Sequence, residues 1–99
     1  MLAGTVVADS DRRLFVVLAS RGERHAVAPV RLGRVRGDKR YAGDVAIDFG
    51  ALGAGTAHCG AARVVKAPFS EIGLVLAAAD LAACAQAAAR AANERSAVR

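Results

Sequence analysis

The most informative stretch of the sequence is Gly55–Arg95, GTAHCGAARVVKAPFSEIGLVLAAADLAACAQAAARAANER. Its pattern predicts one strand, a short kinked link and one long helix. Thr56–Ala67 mixes β-branched and small residues and stops before Pro68, which cannot donate a hydrogen bond to a sheet. From about Ala77 to Arg95 there is no Gly or Pro, and strong helix formers dominate. A terminal helix of this kind must pack on something, so we expect the preceding chain to form a sheet that receives it.

The predicted helix carries one modest packing stripe and charges that suit its dipole. Asp80 lies in the first turn, and Arg90 and Arg95 lie near the end, where each sign is favourable. The stripe consists of residues three or four positions apart: Leu81, Cys84, Ala85 and Ala88.

The length and the amino-acid composition of the chain limit the hydrophobic core that it can build. Ninety-nine residues fit a single domain, residues 1–99. The chain is 55% hydrophobic, which argues against disorder, but it has only three Phe, one Tyr and no Trp. The core must therefore be built from Val, Leu, Ile and Ala, and we expect a homodimer to supplement it.

Charge and cysteine usage indicate the setting in which the protein works. The net charge of +5 and the pI of about 10.2 suit a polyanionic partner. Cys59 and Cys84 have no CxxC spacing and are expected to be reduced and partly buried. No signal peptide and no membrane-spanning apolar run is evident, so a cytoplasmic protein without a membrane role is expected.

Four segments upstream of the opening stretch have the composition of strands. On the third segment, Arg24–Leu32, one face carries His25, Val27, Pro29 and Arg31. Pro29 predicts that this strand lies at an edge or carries a bulge. On the fourth segment, Asp44–Phe49, apolar and polar residues alternate. This alternation predicts that Val45, Ile47 and Phe49 point inward and that Asp44 and Asp48 point outward. A flexible link, Gly50–Gly55, follows. The segments are Leu2–Ala8, Arg13–Ala19 (central and buried), Arg24–Leu32 and Asp44–Phe49, with a turn at Asp9-Ser10-Asp11. This order predicts a mainly β protein with a C-terminal helix, folded as a small antiparallel barrel or a strongly curled sheet of about five strands.

The Gly-bounded segment Gly33–Gly43 is the strongest chemical signal in the sequence. Its basic residues concentrate positive charge beside an aromatic ring that could stack on a base. We interpret these residues as RNA-binding: Arg34, Arg36, Lys39, Arg40 and Tyr41. The alternative is a solvated loop whose charge is incidental.

The two histidines are the side chains best suited to proton transfer near neutral pH. Cleavage of RNA by its own 2′-hydroxyl needs a proton acceptor, a proton donor and positive charge on the phosphate. His58, and less so His25, could serve with nearby arginines and without a metal or other cofactor. The alternative is that both histidines are surface or packing residues. Neither a metal-binding spacing nor a phosphate-binding glycine loop is present.

The order of these elements resembles the MazF/PemK-like toxins. The resemblance spans about residues 13–92 and is carried by RRLFVVLAS, a strand reaching Pro29, DVAIDF, GTAHCGAARVV and IGLVLAAADLAACAQAAARA. It implies an SH3-like barrel with a C-terminal helix. It also implies a homodimeric endoribonuclease of toxin-antitoxin systems that cleaves single-stranded RNA and is silenced by a partner antitoxin.

Residue by residue, the resemblance implies a site around Arg13, which falls where the family has the Arg before its central strand. His58-Cys59-Gly60 falls where PemK-like members have Arg-Cys-Asp, and Arg31 falls near the family's hydroxyl position. The leading hypothesis is a metal-independent endoribonuclease. In it His58 is the acid or base, Arg13 and Arg31 hold the phosphate, and His25 with the Arg34–Tyr41 loop binds RNA.

Two other readings stay open. The first is a catalytically inactive barrel of the same architecture that binds nucleic acid or a protein partner. The second is a purely structural or protein-interaction subunit. CcdB-like gyrase poisons share the barrel, but their activity depends on a C-terminal Trp, and this chain has none.

Overall fold

A computed structural model describes residues 2–33, 43–66 and 68–97. Within these ranges the chain forms mainly antiparallel β-structure followed by one C-terminal helix, which confirms the expected class of fold. The strands are β1 (Thr5–Ala8), β2 (Leu14–Arg21), β3 (Arg24–Leu32), β4 (Asp44–Asp48), β5 (Ala54–His58), β6 (Arg63–Val65) and β7 (Ser70–Val75), and the helix is α1 (Ala78–Ala97). The proposed RNA-binding residues Arg34, Arg36, Lys39, Arg40 and Tyr41 lie outside the described residues. No helix in the described ranges combines the length and apolar character needed to cross a membrane.

The strands are arranged in the order β4-β5-β3-β2-β1-β7, and β6 also pairs with β3. All of these pairings are antiparallel. Among the described residues, no pairing joins the outer strands β4 and β7. The long strand β3 therefore organises the sheet, because it pairs with β2 on one side and with both β5 and β6 on the other.

The expectation that Pro29 marks an edge strand or a bulge was wrong. Pro29 lies in the middle of β3, in register with Phe15 of the central strand β2. On the other side of β3, residues 30–32 pair with β5 and residues 25–27 pair with β6. Pro29 falls between these two short ladders, so the N–H that proline lacks is not required there. The bulge lies instead in β2, between Val17 and Ala19.

The opening stretch Gly55–Arg95 contains more elements than its sequence pattern predicted. Thr56–Ala67 is not one strand, since a short 3-10 helix at Cys59–Ala61 separates β5 from β6. The predicted link also contains a strand, β7, which pairs with β1 through an irregular register. The segment Gly50–Gly55 was expected to be a flexible link, but it holds a 3-10 helix at Gly50–Leu52 and the start of β5. The sheet therefore has seven strands rather than five.

The core occupies both faces of the central strands. On one face, Val6, Val16 and Ala28 pack with Phe49 and with the buried side of α1. On the other face, the buried cluster is Val7, Phe15, Val17 and Val27, covered by Val65 and Phe69. The prediction of a central strand buried on both sides is confirmed for β2. Full burial of such side chains contributes about 1.5–3 kcal/mol each.

The helix packs through a stripe slightly different from the predicted one. Cys84 is buried as expected and Ala88 is partly buried, but Ala85 is exposed. Ala87 and Ala91 are buried in its place. The helical repeat allows either choice, because Ala occupies positions 85, 87, 88 and 91 alike. The sheet beneath the helix selects the side.

Candidate functional site

Four arginines surround a cleft at the end of the sheet where β2 begins and β3 ends. The cleft has a volume of about 520 Å³, and we call it the arginine cleft. Its cationic residues are Arg12, Arg13, Arg31 and Arg63, and its apolar residues are Leu14, Phe15, Pro29, Val30 and Leu32. A surface that combines guanidinium groups with apolar side chains can bind a ligand that has both anionic and apolar parts.

Antiparallel register brings these arginines together from three segments of the chain. Leu14 pairs with Val30, so Arg13, just before β2, and Arg31, near the end of β3, both lie next to this pair. Arg63 on β6 pairs with Val27, two residues before Pro29 on β3. Alternate residues of β3 share a face, so Val27, Pro29 and Arg31 line up along one side.

Arg12 is held in a strained conformation by the hairpin turn that joins β1 to β2. Its φ of +63° lies in the left-handed region, and no other described non-glycine residue has a positive φ. Asp9 fixes this turn, because its Oδ1 accepts hydrogen bonds from the backbone N–H groups of Asp11 at 3.0 Å and Arg13 at 2.8 Å. The left-handed conformation costs about 1–2 kcal/mol for a residue with a Cβ. Strain of this kind is concentrated at functional sites.

Arg13 is already paired with two carboxylates of the same turn. Its Nη2 lies 2.9 Å from Asp11 Oδ2, and its Nε lies 3.7 Å from Asp9 Oδ2. The hydrogen bond to Asp11 is the main cause of a raised pKa of the Arg13 guanidinium. All three side chains are accessible to solvent, so these ion pairs are weak and can exchange for another anion.

A second cluster lies at the ends of β4 and β5, where His58 and Asp44 face each other across the sheet. His58 Nδ1 lies 2.8 Å from Asp44 Oδ1. The Asp44 side chain is only 5% exposed, so the prediction that it points outward was wrong. The imidazole side chain of His58 is 25% exposed. A carboxylate accepts hydrogen bonds only, so Nδ1 donates, and Nε2 of the neutral ring is the basic nitrogen.

A close glycine contact sets the position of this pair. A Cβ built on Gly43 would lie 2.8 Å from the Cα of Gly60, a distance that real side chains do not tolerate. Gly43 also has a φ of +88°, which favours glycine. The N–H of Cys59 donates to the carbonyl of Gly43 at 3.0 Å. The residues next to this contact, Asp44 and His58, are thereby held opposite each other.

Two free thiols lie beneath the pair. Cys59 and Cys84 are both buried in the core between the 3-10 helix and α1. The hydrogen bond with Cys84, together with burial, raises the pKa of the Cys59 thiol well above its ordinary range. The same hydrogen bond lowers the pKa of Cys84, against the opposing effect of burial. Both thiols pack as small apolar residues, as free cysteines in cores usually do.

The predicted site residues fall into separate places. Arg13 and Arg31 meet in the arginine cleft, whereas the residues that line it include neither His58 nor His25. His25 is buried, with Nδ1 2.7 Å from Ser20 Oγ and its ring 6.1 Å from that of Phe69. This is a packing arrangement. By strand alternation, His58 shares a face with Thr56, whose partner on β3 is Arg31.

Sequence reasoning missed three residues of these clusters: Arg12, Arg63 and Asp44. Arg12 stands next to the predicted Arg13, in a turn where the sequence signalled only polar residues. Arg63 was assigned to an unbroken strand, which gave no reason to bring it near Pro29. Asp44 opens a strand whose alternation directs it to the solvent side, and only the pairing of β4 with β5 sets it against His58.

The two clusters are thus an arginine cleft and a His–Asp pair, both on a seven-stranded antiparallel sheet with one terminal helix. The resemblance to MazF/PemK-like toxins rests on the sequence segments that carry it. Comparison of the chain with protein-family models, with curated proteins and with solved structures found no match in any of the three.

Proposed function

We propose that this protein binds single-stranded RNA through the arginine cleft. The observation that carries the proposal is the convergence of four arginines from three segments around Phe15 and Pro29. Guanidinium groups bind phosphate through paired N–H donors, and single strands also offer bases to apolar surfaces. The net charge of +5 favours the approach of any polyanion.

The carboxylates near the cleft are compatible with this role. Asp9 and Asp11 pair with Arg13, but the four guanidinium groups outnumber the two carboxylates. The ion pairs are exposed to solvent, and pairs of this kind contribute little to stability. A phosphate can therefore replace Asp11 on Arg13 at little cost. In the free protein the same contacts hold Arg13 near its binding position.

Binding is tested with a fluorescent single-stranded RNA titrated at several salt concentrations. Arg31→Gln and Arg12→Gln are expected to weaken binding, and each should reduce the slope of log K against log salt by about 0.7. Arg21→Gln and Arg90→Gln are matched controls, because both arginines are exposed and lie outside the cleft. Equal losses in the controls and the cleft variants would show diffuse attraction to the whole surface and would reject the proposed site.

A second candidate function, metal-independent cleavage of the bound RNA, is favoured by the His58–Asp44 pair. With Nδ1 donating to Asp44, Nε2 of His58 could take the proton of a 2′-hydroxyl. The 2′ oxygen then bonds to the adjacent phosphorus and the bond to the 5′ oxygen breaks. The leaving oxygen takes a proton from the imidazolium or from water, and a 2′,3′-cyclic phosphate remains. Arg13 and Arg31 would stabilise the charge on the phosphate.

The cleavage step is tested by incubating a long single-stranded RNA with the purified protein in EDTA. The expected result is fragments ending in cyclic phosphate, lost in His58→Ala prepared in parallel. Because His25 is packed against Phe69, His25→Gln is not a matched control, and an exposed change such as Arg90→Gln serves instead. RNA that stays intact with the parent protein, while still binding it, would reject the nuclease and support an inactive binding domain.

The wider assignment is a toxin of the MazF/PemK kind, with an SH3-like barrel, a homodimeric state, a cytoplasmic location and a cognate antitoxin. Its support is the seven-stranded antiparallel sheet, the strand β3 shared between β5 and β6, and the C-terminal helix. Light scattering tests the dimer. Growth arrest on expression, relieved by a small acidic protein encoded next to this one, tests the toxin. Growth that continues unchanged at full expression would contradict it.

A further inference from the structure

The cationic group of Arg63 lies on the face of an aromatic ring. Its guanidinium carbon is 5.8 Å from the centroid of the Phe15 ring, within the range of a cation–π contact. Phe15 is buried, and Phe69 lies beside it with ring centroids 5.6 Å apart. The ring is therefore a fixed support, and Arg63 is held over it in a defined place.

Arg63 differs from Arg13 in having its charge available. Within the described ranges, no carboxylate forms an ion pair with Arg63, whereas Arg13 contacts both Asp9 and Asp11. Arg63 is also exposed and lines the arginine cleft. A guanidinium group is planar, so one face can rest on Phe15 while the other is presented to a ligand.

The apolar residues that line the cleft indicate a ligand with an apolar part besides its phosphate. Leu14, Pro29 and Leu32 contribute surface to it, yet a phosphate gains nothing from aliphatic side chains. A nucleobase does, since its flat apolar faces stack on rings and on arginine planes. The volume of about 520 Å³ lies within the range of sites that hold a small organic molecule.

We propose that Arg63, supported by Phe15, is a stacking platform for one nucleobase of the ligand, and that Arg12, Arg13 and Arg31 hold the neighbouring phosphates. This inference rests on the proposed binding of single-stranded RNA and divides that site into a base subsite and a phosphate subsite. Arg63 is thereby the residue of the cleft that distinguishes a nucleic acid from a polyanion without bases.

The experiment compares two ligands of equal length and charge, a single-stranded oligonucleotide and its abasic counterpart. Arg63→Lys keeps the positive charge but loses the planar group. It is expected to weaken binding of the base-bearing strand roughly tenfold and to leave binding of the abasic strand nearly unchanged. Arg31→Lys is the matched control in the same cleft, and its effect should be equal for both ligands. Circular dichroism and thermal unfolding verify that each variant is folded.

A second measurement does not depend on any substitution. A base stacked on Arg63 should move the Arg63 Nε–H signal upfield in the NMR spectrum by its ring current, and the abasic strand should not. The proposal is overturned if the parent protein binds both ligands equally, or if Arg63→Lys weakens both to the same extent or neither. If the parent protein binds neither ligand, the proposed RNA binding itself fails.

Discussion

His58 and Asp44 lie 14 positions apart in the sequence, yet Nδ1 of the ring is 2.8 Å from Oδ1 of the carboxylate. They are direct partners in the pairing of β4 with β5. The Asp44 side chain is nearly inaccessible to solvent, while the ring keeps part of its surface open. A buried carboxylate behind a partly exposed imidazole fixes the orientation and the tautomer of the ring.

Asp44→Asn is expected to change the tautomer of His58. In the parent protein the carboxylate can only accept, so the neutral ring carries its proton on Nδ1. An amide both donates and accepts, and the variant should populate both tautomers. Nitrogen-15 shifts of the ring, measured where the imidazole is neutral, report this directly. Asp48→Asn is the control, because Asp48 is exposed on the same strand and accepts from Gly50 instead. A parent ring protonated on Nε2 would contradict the assignment.

Gly43→Ala is expected to destabilise the fold and to separate the His58–Asp44 pair. The added methyl group would meet the backbone of Gly60, which cannot rotate away. The positive φ costs about 1–2 kcal/mol and the overpacking about 1–3 kcal/mol more. Urea unfolding measures the sum.

Gly53→Ala is the matched control for Gly43→Ala. Gly53 has nearly the same positive φ, +83°, but a Cβ there meets no atom within 4 Å. Gly53→Ala should therefore show the cost of the backbone conformation alone. Equal losses of stability in the two variants would mean that the contact with Gly60 contributes nothing.

Arg12→Gly is expected to raise stability and lower affinity for RNA. Glycine adopts the φ of +63° without steric cost, so the free energy of unfolding should rise by about 0.5–1 kcal/mol after the loss of backbone entropy. The same change removes one guanidinium group from the cleft. Thermal unfolding and RNA titration of one sample should move in opposite directions. A variant that is less stable and still binds fully would contradict both the strain and the role assigned to it.

The side of the helix that faces the sheet can be tested with two alanines. Ala87 is 3% exposed, so Ala87→Leu should overpack the core and cost about 1–3 kcal/mol. Ala85 is exposed, and Ala85→Leu should change stability by no more than about 0.5 kcal/mol. Chemical denaturation of the two variants gives the comparison. A larger loss of stability in Ala85→Leu than in Ala87→Leu would contradict this packing and would support the stripe that the sequence pattern predicted.

Several elements could be predicted because the pattern of neighbouring residues determines them. The turn at Asp9-Ser10-Asp11, the buried strand β2, the bounds of β3 and the start of α1 all follow from local composition. The strand β7 was missed because Gly73 interrupts its pattern of apolar residues. In the structure Gly73 has a φ of +79°, outside the range of regular strands. The break between β5 and β6 was missed because Cys59–Ala61 is as small and apolar as its neighbours.

The class of the fold, the apolar strands and the terminal helix can be predicted from the amino-acid sequence, since each depends on residues that are near one another in the chain. The positive charge follows from composition alone. Which charged side chains lie together depends instead on how distant segments of the chain pair. Arg63 lines the same cleft as Arg31 because β6 pairs with β3, and Asp44 contacts His58 because β4 pairs with β5. These pairings depend on register between distant segments, and a shift of one residue would turn each side chain to the opposite face.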